Sequence, residues 1–177
     1  MSHLFNGHWE IDLAASTVWD DATEAHVPDE VGQERITIRD EGGTQDYEVL
    51  YGDSPVMRMG YTAAWDSPDW TPYVVREIVS NATDTRRDID AFKTRVKATQ
   101  GDAERHFEVG KPYGLIRLVY VDDHTHYRVL MNPTSGKGQA IMLRRLAPDH
   151  RSYLATVLDT RGIVHRRRRF VRSGDKS

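Results

Sequence analysis

Apolar and polar residues alternate along most of this chain, the period-two pattern of strands with one face buried. Trp9, Ile11 and Leu13 share one face of a first segment, with His8, Glu10 and Asp12 on the other. Residues 34–39 resume the alternation with Ile36 and Ile38, and Glu41-Gly42-Gly43 then supplies a turn, because glycine tolerates positive φ. Residues 45–51 bring Tyr47, Val49 and Tyr51 together, and residues 56–63 do the same for Met57, Met59 and Tyr61. Residues 73–79 are strongly β-branched, as strands favour. Between the first two strands, residues 16–33 are polar and irregular and read as a long loop.

The middle of the chain changes period. Ile89, Phe92 and Val96 fall at helical spacing, so residues 84–100 are expected to form a short helix, capped by Thr83 or Asp84 and closed by Gly101. A broken strand around residues 92–98 is the alternative. From Gly114 onward five further strands follow, joined by links too short for parallel crossovers. The spacing therefore predicts an all-β fold, a single antiparallel up-and-down β-barrel of about 8–10 strands with one short helix. Closing such a sheet removes its exposed edges. Residues 1–172 read as one domain and residues 173–177 as a frayed tail.

Composition narrows the function classes. The 177 residues are 38% hydrophobic and 29% charged, which suits one folded domain rather than a disordered chain. No apolar run approaches the roughly 20 residues that span a bilayer. The segment MSHLFNGHWEID lacks the basic stretch and apolar core of a secretory signal, so a cytoplasmic home is expected. Cysteine is absent, which removes thiolate metal sites and cysteine nucleophiles. A net charge of −3 gives no overall attraction to nucleic acid or anionic membrane, and neither is expected as a partner.

The hairpin over residues 114–131 carries the candidate chemistry. If Asp123 and His124 are its two central residues, Tyr120 faces Tyr127, Leu118 faces Val129 and Ile116 faces Met131. That face is nearly all apolar and is expected to point inward, which makes Tyr120 and Tyr127 candidate proton carriers. A slip of one residue would send His126 and Arg128 inward and the tyrosines out. Arg145, aligned with Ile141 and Leu143, is the candidate anchor for an anion, since an unpaired inward guanidinium is costly without one. Tyr51, Met57, Met59, Tyr61 and Tyr153 are expected to line a ligand cavity suited to a flat aromatic or polycyclic molecule. The run Arg166 to Arg169 splits two and two between strand faces and reads as surface charge. No zinc pattern, phosphate loop or Gly-x-Ser-x-Gly elbow is present, so neither metal nor cofactor is expected. His165 as an axial haem ligand is a remote third option.

Gly7-x-Trp9 on the first strand, the long first loop and the Arg-rich last strand "HRRRRF" together resemble the lipocalin and wider calycin group. The resemblance implies that Trp9 plugs one barrel end beneath an Arg from the last strand, with the ligand mouth at the other end. The mid-chain helix departs from lipocalins, whose helix follows the last barrel strand. The functional expectation is a small-molecule-binding barrel. Its leading form is a cofactor-independent lyase, isomerase or hydratase working by acid–base chemistry on an aromatic or isoprenoid-like metabolite. The alternative is a non-catalytic carrier of a hydrophobic ligand. A homodimer is one oligomeric option.

Overall fold

The computed structural model describes residues 4–100 and 107–174, which form a closed antiparallel barrel of ten strands with an eleventh paired outside the ring. β1 (Gly7–Asp20) pairs with β3 (Glu34–Glu41) on one side and β11 (Val164–Ser173) on the other, and the second pairing closes the sheet. Between them run β4 (Thr44–Tyr51), β5 (Val56–Ala64), β6 (Thr71–Val79), β7 (Pro112–Asp122), β8 (Thr125–Met131), β9 (Gly138–Leu146) and β10 (Ser152–Asp159), each bonded to its sequence neighbour. β2 (Ala25–Pro28) pairs only with the far half of β1. The alternating inner residues, from Trp9 and Ile38 through Tyr47, Met59 and Ile116 to Phe170, make one continuous core. Among the described residues no helix is long and apolar enough to cross a membrane.

One end of the barrel is sealed by Trp9. Its indole is fully buried, donates to the Phe5 carbonyl at 2.9 Å and meets the Tyr153 ring edge-on at 4.8 Å. Arg172 lies over the indole, 4.2 Å from the ring centroid, and its guanidinium donates to the carbonyls of Leu4, Asn6 and His150. The expected Arg cover is therefore present, but it comes from two residues beyond Phe170 and not from the Arg166–Arg169 run. Ladder register explains this, since Trp9 is paired directly with Arg172. Gly7 is required for the same reason: its φ is +135°, and a Cβ there would lie 2.5 Å from the Arg172 Nη1.

The expected helix is α1 (Thr85–Gln100), started by Asp84, whose carboxylate accepts from the Arg87 amide at 3.1 Å. Phe92 and Val96 are buried, and Gly101 lies outside the described residues. The expected loop over residues 16–33 is corrected in part: β1 continues to Asp20 and turns back as β2, so most of it is a hairpin. Both faces of that hairpin are partly exposed, which erases the alternation that marks a strand with one buried face. The expected tail loses Ser173 to β11, where it pairs with His8, and residues 175–177 lie outside the described residues.

Arg172→Met removes three carbonyl contacts and the cation–π contact together, and is expected to cost about 2–4 kcal/mol in urea unfolding. Arg169→Met, an exposed change on the same strand, should cost less than about 1 kcal/mol. Equal costs would mean that Arg172 does not clamp the end.

Candidate functional site

A cavity of about 60 Å³ lies between the barrel core and the end opposite Trp9. Strands β3 and β4 reach it with Glu34 and Tyr51, β7 with Tyr113, and β8 to β11 with Arg128, Arg144, Val157 and Arg166. The link from β2 to β3 crosses this end, and Phe92 of α1 packs beside Gly52 where β4 finishes. A volume of this size holds a few waters or a small polar group, well below the several hundred Å³ of a typical drug-sized site.

Two arginines define the chemistry of this interior. Arg128 is 7% exposed and Arg144 1%, and among the described residues neither meets a carboxylate. The Arg128 guanidinium carbon sits 5.1, 5.8 and 5.3 Å from the ring centroids of Tyr47, Tyr61 and Tyr73; Nη2 has only the Met142 sulfur at 3.5 Å, and Nη1 has no partner. Arg144 lies 4.7 Å from the Tyr47 centroid and 5.9 Å from that of Tyr153, and its Nε has no partner. Its Nη1 is 3.4 Å from His126 Nε2, and since guanidinium can only donate, His126 must accept there as a neutral Nδ1–H tautomer. Burial opposes charge on both guanidiniums, but arginine is too basic to give up its proton in the range where the surrounding phenols stay neutral. Both are cations at neutral pH.

A third buried arginine is treated differently. Arg168 donates from Nε to Asp29 at 2.6 Å and from Nη1 to Glu34 at 2.9 Å. Asp29 also accepts from the Val31 amide at 3.0 Å, while its own amide donates to the Ser16 carbonyl at 3.1 Å. This ion triad fastens the link between β2 and β3 onto the barrel wall. Three buried guanidiniums thus face two carboxylates, and the half-buried Arg166 at the mouth adds a fourth cation.

The structure brings together only part of the set expected from sequence. Of the five residues expected to line a cavity, Tyr51 borders it, whereas Met57, Met59, Tyr61 and Tyr153 face inward but are packed into the core away from its lining. The hairpin orientation is corrected. Asp122 pairs with Thr125 across the expected two-residue turn, but a bulge at Val121 shifts the ladder so that Tyr120 faces His126 and Leu118 faces Arg128. Tyr127 therefore points outward, and Tyr120 sits at the rim with its hydroxyl on Asp123 at 2.6 Å. The orientation of Arg145 is corrected likewise: it is exposed, and Arg144 takes the inward place on β9. His165 lies on the opposite face of β11 from Arg166 and Arg168, away from the cavity lining. Sequence reasoning missed Arg144, Arg168, Glu34 and Asp29. The shared parity of Arg168 with Phe170, and of Arg144 with Leu146, was the available signal.

Every titratable side chain here whose pKa shifts is moved away from neutrality. Burial pushes the phenols of Tyr47, Tyr51, Tyr73 and Tyr153 up. Burial, with Arg144 and Arg128 nearby, pushes His126 well below its ordinary 6.5. Among the described residues no group of three His, Cys, Asp or Glu side chains is placed to hold a metal ion. The interior is therefore a cationic, phenol-lined chamber that donates hydrogen bonds. No protein-family model matches this chain, and no curated protein or solved structure is significantly similar to it.

The depressed His126 makes stability depend on pH. The unfolded chain takes up this proton below about pH 6.5 and the folded chain refuses it, so stability is full above that pH and falls as the solution is acidified. His26 and His165, also lowered by burial, add to the same trend. His126→Gln keeps an acceptor for Arg144 and should flatten the loss between about pH 6.5 and 5 by up to about 1 kcal/mol per pH unit. Urea unfolding across that range checks it, and an unchanged slope would show that His126 accepts its proton without cost.

Proposed function

We propose that the barrel binds a small molecule through an anionic group, a carboxylate or one of similar size, received between Arg128 and Arg144. The observation that carries this reading is the pair of buried guanidiniums that, among the described residues, have no carboxylate partner and N–H groups left unmatched. Removing a guanidinium from water costs several kcal/mol, and a tyrosine face returns about 1–2 kcal/mol. A bound anion supplies the rest by charge-assisted hydrogen bonds. The volume of about 60 Å³ favours a short ligand, and an aromatic or isoprenoid body as expected from sequence would need more room than it gives.

The binding reading is better supported than the lyase, isomerase or hydratase reading. Acid–base turnover works best with a group that titrates near the working pH. Burial holds the cavity phenols and His126 far from it on either side. The phenols therefore serve as neutral donors and as aromatic faces for the cations. An enzyme would have to recruit its proton carrier from the ligand itself.

Arg144→Met is the discriminating variant, because methionine fills similar space without charge. In the absence of ligand it should match or exceed the wild-type melting temperature, as replacing an uncompensated buried charge often does. Formate, acetate and phosphate should stabilise the wild type increasingly with concentration and lose that effect at least about tenfold in the variant. Acetamide, which matches acetate in size but has no charge, should do little to either. If the anions stabilise wild type and variant equally, or not at all, the reading fails.

A further inference from the structure

Flanked by β7 and β10, strands β8 and β9 are patterned inside out. Their inner positions hold His126, Arg128 and Arg144, and the alternation then leaves apolar residues on the outer face. Ladder register sets these in two rows across the strands: Val119 beside Tyr127 beside Leu143, and Val129 beside Ile141 beside Leu158. Val119 is 39% exposed and Ile141 44%, with Val121 at 49% and Leu154 at 42% along the margin. The other side of the barrel is ordinary. There the outer face of β3 to β6 is laced by the pairs Arg39–Asp46, Arg76–Glu48 and Arg58–Glu77. The apolar surface thus covers one flank only, whereas a barrel that spans a bilayer needs an apolar band all the way round. A contiguous patch of this kind marks an interaction surface.

We propose that this flank is the interface of a two-fold symmetric homodimer. The rim charges fit a second copy of the chain. At the Trp9 end of the flank, the β7–β8 turn carries the exposed Asp122 and Asp123, and the β9–β10 corner carries the exposed Arg145 and Arg151 against one exposed acid, Asp149, and so is net basic. A dyad parallel to the strands, midway between β8 and β9, lays each acidic corner against the basic corner of the other copy. The same operation places apolar row over apolar row. Because the interface is isologous, the charge match occurs twice. An apolar centre with a charged rim is the usual anatomy of such a contact. This inference stands independently of the ligand proposed for the cavity.

Sedimentation velocity on the full chain from about 1 to 100 µM, the range in which a modest interface of this kind associates, tests it. The wild type is expected to pass from monomer to dimer. Ile141→Glu changes an exposed position, leaves the melting profile intact, and should raise the dimer dissociation constant at least about tenfold. Arg145→Glu/Arg151→Glu and Asp122→Lys/Asp123→Lys should each weaken self-association, and an equimolar mixture of the two should associate again. A wild type that stays monomeric throughout overturns the proposal. So does a dimer indifferent to Ile141→Glu, a mixture that fails to re-associate, or a monomer that instead binds lipid vesicles through this flank.

Discussion

Closure of the sheet through β1 and β11 is the constraint on which everything else in this molecule rests. Ten strands can enclose an interior only if the first and last are bonded, and here that seam is clamped where Trp9 pairs with Arg172. The guanidinium does two jobs at once. Its π contact covers the indole, and its N–H groups satisfy carbonyls of the segment before β1 and of the β9–β10 turn. Once the seam is closed and one end plugged, a side chain on the inner face has no route to water except through the opposite mouth. A charge placed inside must then be compensated inside.

The molecule compensates its interior charges on one flank and passes the consequence to the outside. In a strand, successive side chains take opposite faces, so each inward arginine on β8 and β9 commits its neighbours to the exterior. Arg128 thereby exposes Tyr127 and Val129, and Arg144 exposes Leu143. The cationic chamber and the apolar flank are two sides of the same strands. On β3 to β6, where Ile, Val, Met and Tyr dominate the inner positions, the outer positions are free to be charged and form cross-strand ion pairs.

Much of this fold was legible in the sequence because alternation is a direct imprint of a one-sided strand. The strand count follows from it and the helix from its interruption by helical spacing, whereas Trp9 as a plug was implied only by the resemblance to the calycin group. The candidate site was less legible, for reasons tied to particular residues. Orientation on β7 and β8 was reasoned from the rule that the apolar face goes in, which ordinarily holds. Val121 bulges out of the ladder, and the ladder beyond it is displaced by one residue. No turn rule announces a bulge between Val and Asp. The same rule misplaced Arg145, because Ile141 and Leu143, its companions in parity, face outward on an inverted strand. The ion triad was hidden differently. Asp29, Glu34 and Arg168 are separated by up to 139 residues, and nothing local marks them as partners.

The contrast between Arg168 and the other two buried arginines says what the tyrosines are for. Arg168 is neutralised by two carboxylates and fixes a segment of backbone, the arrangement of a structural ion cluster. Had Arg128 and Arg144 been given carboxylates as well, the interior would hold no surplus charge and no reason to admit an anion. They are given aromatic faces instead. A ring quadrupole offsets part of the desolvation cost without occupying the N–H groups, because it acts on the face of the guanidinium and not at its edge. Tyr47, within reach of both cations and stacked on Tyr61 at 4.8 Å, is the centre of this arrangement. Its phenol need never ionise for that purpose, and burial ensures that it does not. A lining of this kind holds two cations without completing their hydrogen bonds, and it is on that incompleteness that the proposed binding of an anion rests.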